Sequence, residues 1–183
     1  MMSRIEYPDF DIFELDELMS EKASVLIANE ILKRVDFVRS GMIDSYSRTN
    51  ALYHNDLHAA DVMQTLFTMM MRGDLQNKMK LGDLDKFSML IGAICHDLKH
   101  TGQNNIFHIN TRSKIAMKYN DISVLENFHI AQTFKLLSID EYNILKNFKP
   151  EEYRILRRRM IEGILATDMA LKPQNYSTHS KSC

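Results

Sequence analysis

Apolar side chains along this 183-residue chain recur at three- and four-residue intervals almost throughout, a spacing that predicts helices. Val25, Ala28, Ile31, Leu32, Val35 and Val38 form one stripe, closing near Gly41. Met63, Leu66, Phe67 and Met70 form a second, which stops before Gly73. Phe87, Leu90, Ile91 and Ile94 form a third, with Asp83 as the expected N-cap and the Gly102 turn as the expected end. Ser123 with Glu126, and Ser138 with Glu141, have capping-box spacing, so helices are expected to begin there. Pro150 suits the first turn of a further helix carrying Tyr153, Leu156 and Met160. No segment alternates with the two-residue period of a strand. With six glycines, three prolines and no repeat, the pattern predicts a compact all-α, multi-helix bundle over residues 1–170. Residues 171–183, "LKPQNYSTHSKSC", are polar and unpatterned and are expected to fray.

Composition narrows the function classes. At 45% hydrophobic the chain can bury one core, and a formal net charge of -1 with scattered Lys and Arg gives no footprint for nucleic acid. The run Arg157-Arg158-Arg159 reads as a solvated helix face in preference to a phosphate-binding patch. Cys95 lies in an apolar run and Cys183 at the terminus, which is no disulfide framework and points to a reducing compartment. No apolar run reaches membrane-spanning length, and the start "MMSRIEYPDF" lacks a signal-peptide layout. The expected location is the cytoplasm.

The histidines change the picture. Four of the seven fall into i,i+4 pairs, His54 with His58 and His96 with His100. On a helix that spacing stacks two side chains about 6 Å apart, within reach of one centre. Asp97 lies three residues after Ile94 and seven after Leu90, so it continues the apolar stripe. A carboxylate buried there needs a partner, a proton or a metal ion. The alternative is a helix that has already turned by Leu98 and leaves Asp97 exposed. Neutral imidazoles favour zinc or another first-row ion, and a shared carboxylate suits a harder second ion such as magnesium or manganese. Two ions sharing a hydroxide suit phosphoester hydrolysis, whereas histidines serving only to brace a helical bundle are the competing reading. No nucleophilic serine or cysteine motif, P-loop or dinucleotide fingerprint is present.

The segments "YHNDLHAADV", "HDLKHTGQNNIFHINT", "YNDISVLENFH" and "ILATDMA" resemble, in order, the signature motifs of the class I 3',5'-cyclic-nucleotide phosphodiesterase catalytic domain, a helical member of the HD superfamily. The resemblance runs from about Phe10 to about Ala170. It implies zinc at a first metal site, magnesium or manganese at a second, and opening of cAMP or cGMP to the 5'-monophosphate. By the same resemblance His54 is the general acid, and His58, His96 and Asp97 are ligands of the first ion, with Asp97 also reaching the second. His100, Glu126, Thr167 and Asp168 fall near metal-bound waters, and Asn105 and Met169 at the substrate pocket. For Glu126 the capping box with Ser123 competes. Thr101 replaces a family proline, which is expected to loosen a turn and little else. Phe128 stands where the family usually has the first of two histidines, ahead of His129. Past "ATDM" the family carries a further metal-binding aspartate, a base-gripping glutamine and an aromatic clamp. The resemblance therefore predicts a truncated domain, weak or inactive alone, whose exposed apolar surface invites a homologous phosphodiesterase chain. A non-catalytic regulator of a longer homologue is the alternative function.

Overall fold

The computed structural model describes residues 5–12, 15, 46 and 51–170. The stripe from Val25 to Val38, the expected tail at 171–183 and Cys183 lie outside the described residues. Among the described residues there are seven α-helices and no strand: α1 (Asp56–Met71), α2 (Leu75–Lys78), α3 (Asp83–Cys95), α4 (Asn105–Asn110), α5 (Lys114–Lys118), α6 (Val124–Leu137) and α7 (Pro150–Leu165). A 3-10 turn, Asp140–Tyr142, joins α6 to the segment before α7.

The long helices bury the stripes their periodicity predicts. Met63, Phe67 and Met70 of α1 meet Phe87, Leu90, Ile91 and Ile94 of α3, and Leu156, Met160 and Ile164 of α7 close the core from the other side. α3 packs most extensively on α7 and then on α1, which makes it the central helix. Tyr153, expected on the inner stripe of α7, is instead exposed. α1 ends where predicted: a Cβ at Gly73 would stand 2.6 Å from the Met69 carbonyl oxygen, so only glycine follows this C-cap without a shift. Cys95, fully buried in α3, has its thiol pushed up to about 12 by burial.

Several local expectations fail for identifiable reasons. Gly82, not Asp83, is the N-cap of α3; its N–H donates to the Asp85 carboxylate at 2.9 Å, while Asp83 pairs with Lys86. α3 ends at Cys95, well before Gly102, with His96 as C-cap. No α-helix starts at Ser138, which is the C-cap of α6 and donates its hydroxyl to the Lys135 carbonyl; only the 3-10 turn Asp140–Tyr142, capped by Ile139, follows. The arginine run is only partly a solvated face. Arg157 stacks 3.9 Å over the Phe134 ring and Arg159 pairs with Asp85 at 2.8 Å, so two of the three hold α7 to its neighbours. No helix among the described residues is long and apolar enough to cross a membrane.

Candidate metal centre

Two chain reversals set the site at one end of the core. Asn55 caps α1, its Oδ1 accepting the N–H groups of Leu57 and His58 at 3.0 and 3.1 Å. His58 thereby sits in the first helical turn, and His54 precedes the helix. After α3 the chain folds into a tight turn: Leu98 is fully buried as its anchor, Lys99 takes a left-handed φ of 60°, and the His100 N–H returns to the Asp97 carbonyl at 2.9 Å. Neither histidine pair therefore lies on one helical face, and the pairing by helix period is corrected. The rings still converge, with His54 and His58 centroids 5.6 Å apart.

Asp97 is the hub. It is buried, as the stripe predicted, even though the helix has ended before it. Its Oδ2 lies 2.6 Å from His54 Nδ1, 3.2 Å from His96 Nε2 and 3.5 Å from His58 Nε2. Its Oδ1 lies 3.8 Å from His129 Nε2. Candidate ligand atoms of His54, His58 and Asp97 fall within 4.8 Å of one another, as do those of Asp97, His100 and His129. The imidazoles of His54, His100 and His129 form a stack, with centroid separations of 4.1 and 5.5 Å.

The hydrogen inventory tests whether such a set suits a cation. His96 Nδ1 donates to the Ala93 carbonyl, and His129 Nδ1 to the Leu98 carbonyl, each at 2.7 Å. A carbonyl only accepts, so each Nδ1 carries a hydrogen, and in the neutral ring each Nε2 turns a lone pair toward the carboxylate. His129 Nε2 is buried with no hydrogen-bond partner. Lone pairs facing an acceptor-only carboxylate are satisfied by a proton or a metal ion, and backbone-anchored Nδ1–H is the usual orienting contact of a metal-binding histidine. The donor set fits a divalent ion.

The electrostatics agree. Burial raises the Asp97 carboxyl, but the His96 and His54 contacts outweigh it and hold the group well below the usual carboxylate range. Burial lowers His96, and the Asp97 bond and charge more than reverse that, leaving it raised. Burial lowers His58, with the charge of His96 adding to the effect. His100 and His129 are both pushed down to about 4, chiefly by burial. At neutral pH those three rings are free to donate lone pairs.

A second layer braces the cluster. The Asn105 carboxamide donates to Glu126 Oε2 at 3.0 Å and accepts the Leu125 N–H at 2.8 Å. Both ends of Asn105 are therefore committed to α6, and the residue also lines the cavity, where it was expected. The capping box at Ser123 does not form. Ser123 has φ 41° and makes no side-chain cap bond; its hydroxyl donates to buried Asp168 at 2.8 Å. Glu126 is thus free of the cap and faces the site, its carboxyl raised by burial. The Thr167 hydroxyl donates to the Ile164 carbonyl, and Met169 is 96% exposed. Together with His54, His58 and Asp97, the residues Asn105, Glu126, Thr167, Asp168 and Met169 line a cavity of about 1110 Å³. His129 is the residue that sequence reasoning missed. Its signal was the spacing Leu125, His129, Thr133, an inner face on which all three are buried.

Comparison with known proteins follows the same motifs. A family model described as 3'5'-cyclic nucleotide phosphodiesterase matches residues 53–182. The chain is 40% identical over 174 residues to the "Probable 3',5'-cyclic phosphodiesterase pde-1" of Caenorhabditis elegans, covering 88% of this chain and 26% of the relative. It is 36% identical over 182 residues to the human "Dual specificity calcium/calmodulin-dependent 3',5'-cyclic nucleotide phosphodiesterase 1B", covering 92% and 34%. The crystal structure of the phosphodiesterase domain of the RhoPDE fusion protein from the choanoflagellate Salpingoeca rosetta superposes with a TM-score of 0.73 at 30% identity, over 91% of this chain and 54% of that one. The chain spans about a quarter to a third of the length of these two curated relatives.

Proposed function

The chain belongs to the 3'5'-cyclic nucleotide phosphodiesterase family, and from that membership we propose that its cluster is a metal-dependent site opening a 3',5'-cyclic nucleotide, cAMP or cGMP, to the 5'-monophosphate. The observation that carries this reading is Asp97, a buried carboxylate ringed by the imidazoles of His54, His58, His96 and His129. His58, His96 and Asp97 would hold a first divalent ion, for which the nitrogen-rich set favours zinc. Asp97 would also reach a second ion, magnesium or manganese, with His100, Glu126, Thr167 and Asp168 toward its waters. When bound, such ions supply Lewis acidity to a phosphoryl oxygen and acidify water.

The chain's own groups divide the remaining work. Asp97 accepts the Nδ1–H of His54, which orients the ring and leaves Nε2 to hand a proton to the departing 3'-oxygen. The His54 side chain is 42% exposed against 17% for His58, which suits a proton donor facing substrate and a ligand facing inward. Asn105 holds Glu126 in place, and Met169 at the cavity edge offers an apolar surface to the nucleotide.

The test is product analysis by chromatography with the purified chain, zinc and magnesium. Expected are 5'-monophosphate, its loss with a chelator, a fall of at least about 100-fold in kcat for His54→Ala with metal content unchanged, and loss of bound zinc for Asp97→Ala. Turnover indifferent to chelator and to both substitutions would overturn the reading. A second reading, a non-catalytic partner of a longer homologue, is favoured by exposed Ile106, Met117, Ile122 and Met169. Co-elution with an active homologue and a change in its rate would mark it, and chelator-sensitive turnover by this chain alone counts against it.

A further inference from the structure

Thr101, in the turn after His100, is engaged by its side chain. Its hydroxyl lies 2.8 Å from Nε2 of His108, and Nδ1 of the same ring lies 3.0 Å from the Ser113 hydroxyl. Ser113 is also the N-cap of α5, its oxygen accepting the Ala116 N–H at 3.3 Å. His108 is only 6% exposed, its ionised form disfavoured by burial. A neutral imidazole has one N–H and one lone pair, and each hydroxyl can give one proton or accept one. One hydroxyl therefore donates to the ring while the other accepts from it, and both nitrogens are satisfied.

The location of this chain of bonds gives it a consequence. α4 is six residues long, too short to hold its orientation by helix propensity. His108 lies three residues along it from Asn105, close to one helical turn, and Asn105 is the residue that grips Glu126 and the Leu125 N–H. A rotation of α4 would carry the carboxamide away from α6. We propose that Thr101, His108 and Ser113 form a hydroxyl–imidazole–hydroxyl strut that fixes the rotation of α4, making them positioning residues for Asn105 and Glu126. The strut is a property of this chain's own geometry; only its value to hydrolysis rests on the proposed function.

The test is NMR and amide exchange on the ¹⁵N-labelled full chain. Thr101→Val removes the hydroxyl and keeps the shape, while Thr101→Ser keeps the hydroxyl. In Thr101→Val the His108 ring nitrogens should shift and the Leu125 amide should exchange about fivefold to tenfold faster, with α3 amides unchanged. Thr101→Ser should match the parent. His108→Leu should reproduce the Leu125 effect, and adding Thr101→Val to it should change nothing more. The strut is overturned by unchanged Leu125 exchange in Thr101→Val, by Thr101→Ser behaving like Thr101→Val, or by equal acceleration of the α3 amides. None of these readouts uses turnover, so an absence of hydrolysis would count against the functional reading alone.

Discussion

At the residue scale the site is a problem of too many acceptors. His129 states it most plainly: a fully buried ring, anchored through Nδ1 to the Leu98 carbonyl, with Nε2 left facing Asp97. In the metal-free chain this has a pH signature. An unfolded histidine takes its proton near the ordinary value of about 6.5, whereas folded His129 resists until about 4. Over that window the unfolded state binds more protons, so stability contributed above pH 6.5 is lost as the pH falls toward 4. The loss from this residue is on the order of 3 kcal/mol. His96, with its raised value, acts in the opposite sense, its contribution fading as the pH rises through the folded value. Asp97 stays ionised in the folded state across the window. Urea midpoints of the metal-free chain between pH 7 and 4.5 should fall more steeply than those of His129→Gln, in which His96 and Asp97 are retained. Parallel curves for the two proteins would remove His129 from the account.

At the element scale the start of α6 shows how a helix end is turned to use. Ser123 and Glu126 have the spacing of a reciprocal cap, yet Ser123 adopts a left-handed backbone and bonds Asp168, and Asn105 supplies the cap to Leu125 from another helix. Substituting Ser123 separates the two effects. Ser123→Ala loses the bond to buried Asp168 and keeps the strained φ, at about 1–3 kcal/mol; Ser123→Gly loses the bond but relieves the strain, and should cost about 1 kcal/mol less. Asn105→Ala should cost about 1–2 kcal/mol and raise the Glu126 carboxyl further, because the Asn105 bond is what lowers it. Thermal unfolding gives the order of the three, and carboxyl titration by NMR follows Glu126. The same helix marks what the sequence could and could not reveal. α1, α3 and α7 were legible because 13 to 16 residues carry several turns of apolar period. α2, α4 and α5 were not, because four to six residues hold no period and their ends are fixed by bonds such as Asn104 and Ser113 to backbone. The histidine pairs were legible as a cluster although the helical reason was wrong: the His54 and His58 rings still lie 5.6 Å apart, and the turn after α3 brings His100 onto His54, 4.1 Å between ring centroids.

At the scale of the whole molecule the candidate ligands come from three separate elements of one core. His58 belongs to α1, His96 and Asp97 follow α3, and His129 belongs to α6, while α7 closes the opposite face of α3. An ion held by several of these groups binds the folded chain and not the unfolded one, so it must stabilise the whole fold rather than a loop. At free zinc about a hundredfold above its dissociation constant the gain is about 2.7 kcal/mol. For a chain of this size each kcal/mol moves the unfolding midpoint by about 2–4 °C, which gives a rise of about 5–11 °C. Calorimetry with and without zinc should show that rise, a chelator should reverse it, and Asp97→Asn should abolish it while keeping a folded baseline. The substitution leaves His58, His96 and His129 in place, so it tests whether the carboxylate is the hub. A shift that survives Asp97→Asn would mean that the ion binds elsewhere on the chain, and an unshifted parent would mean that the imidazoles around Asp97 are satisfied by protons alone.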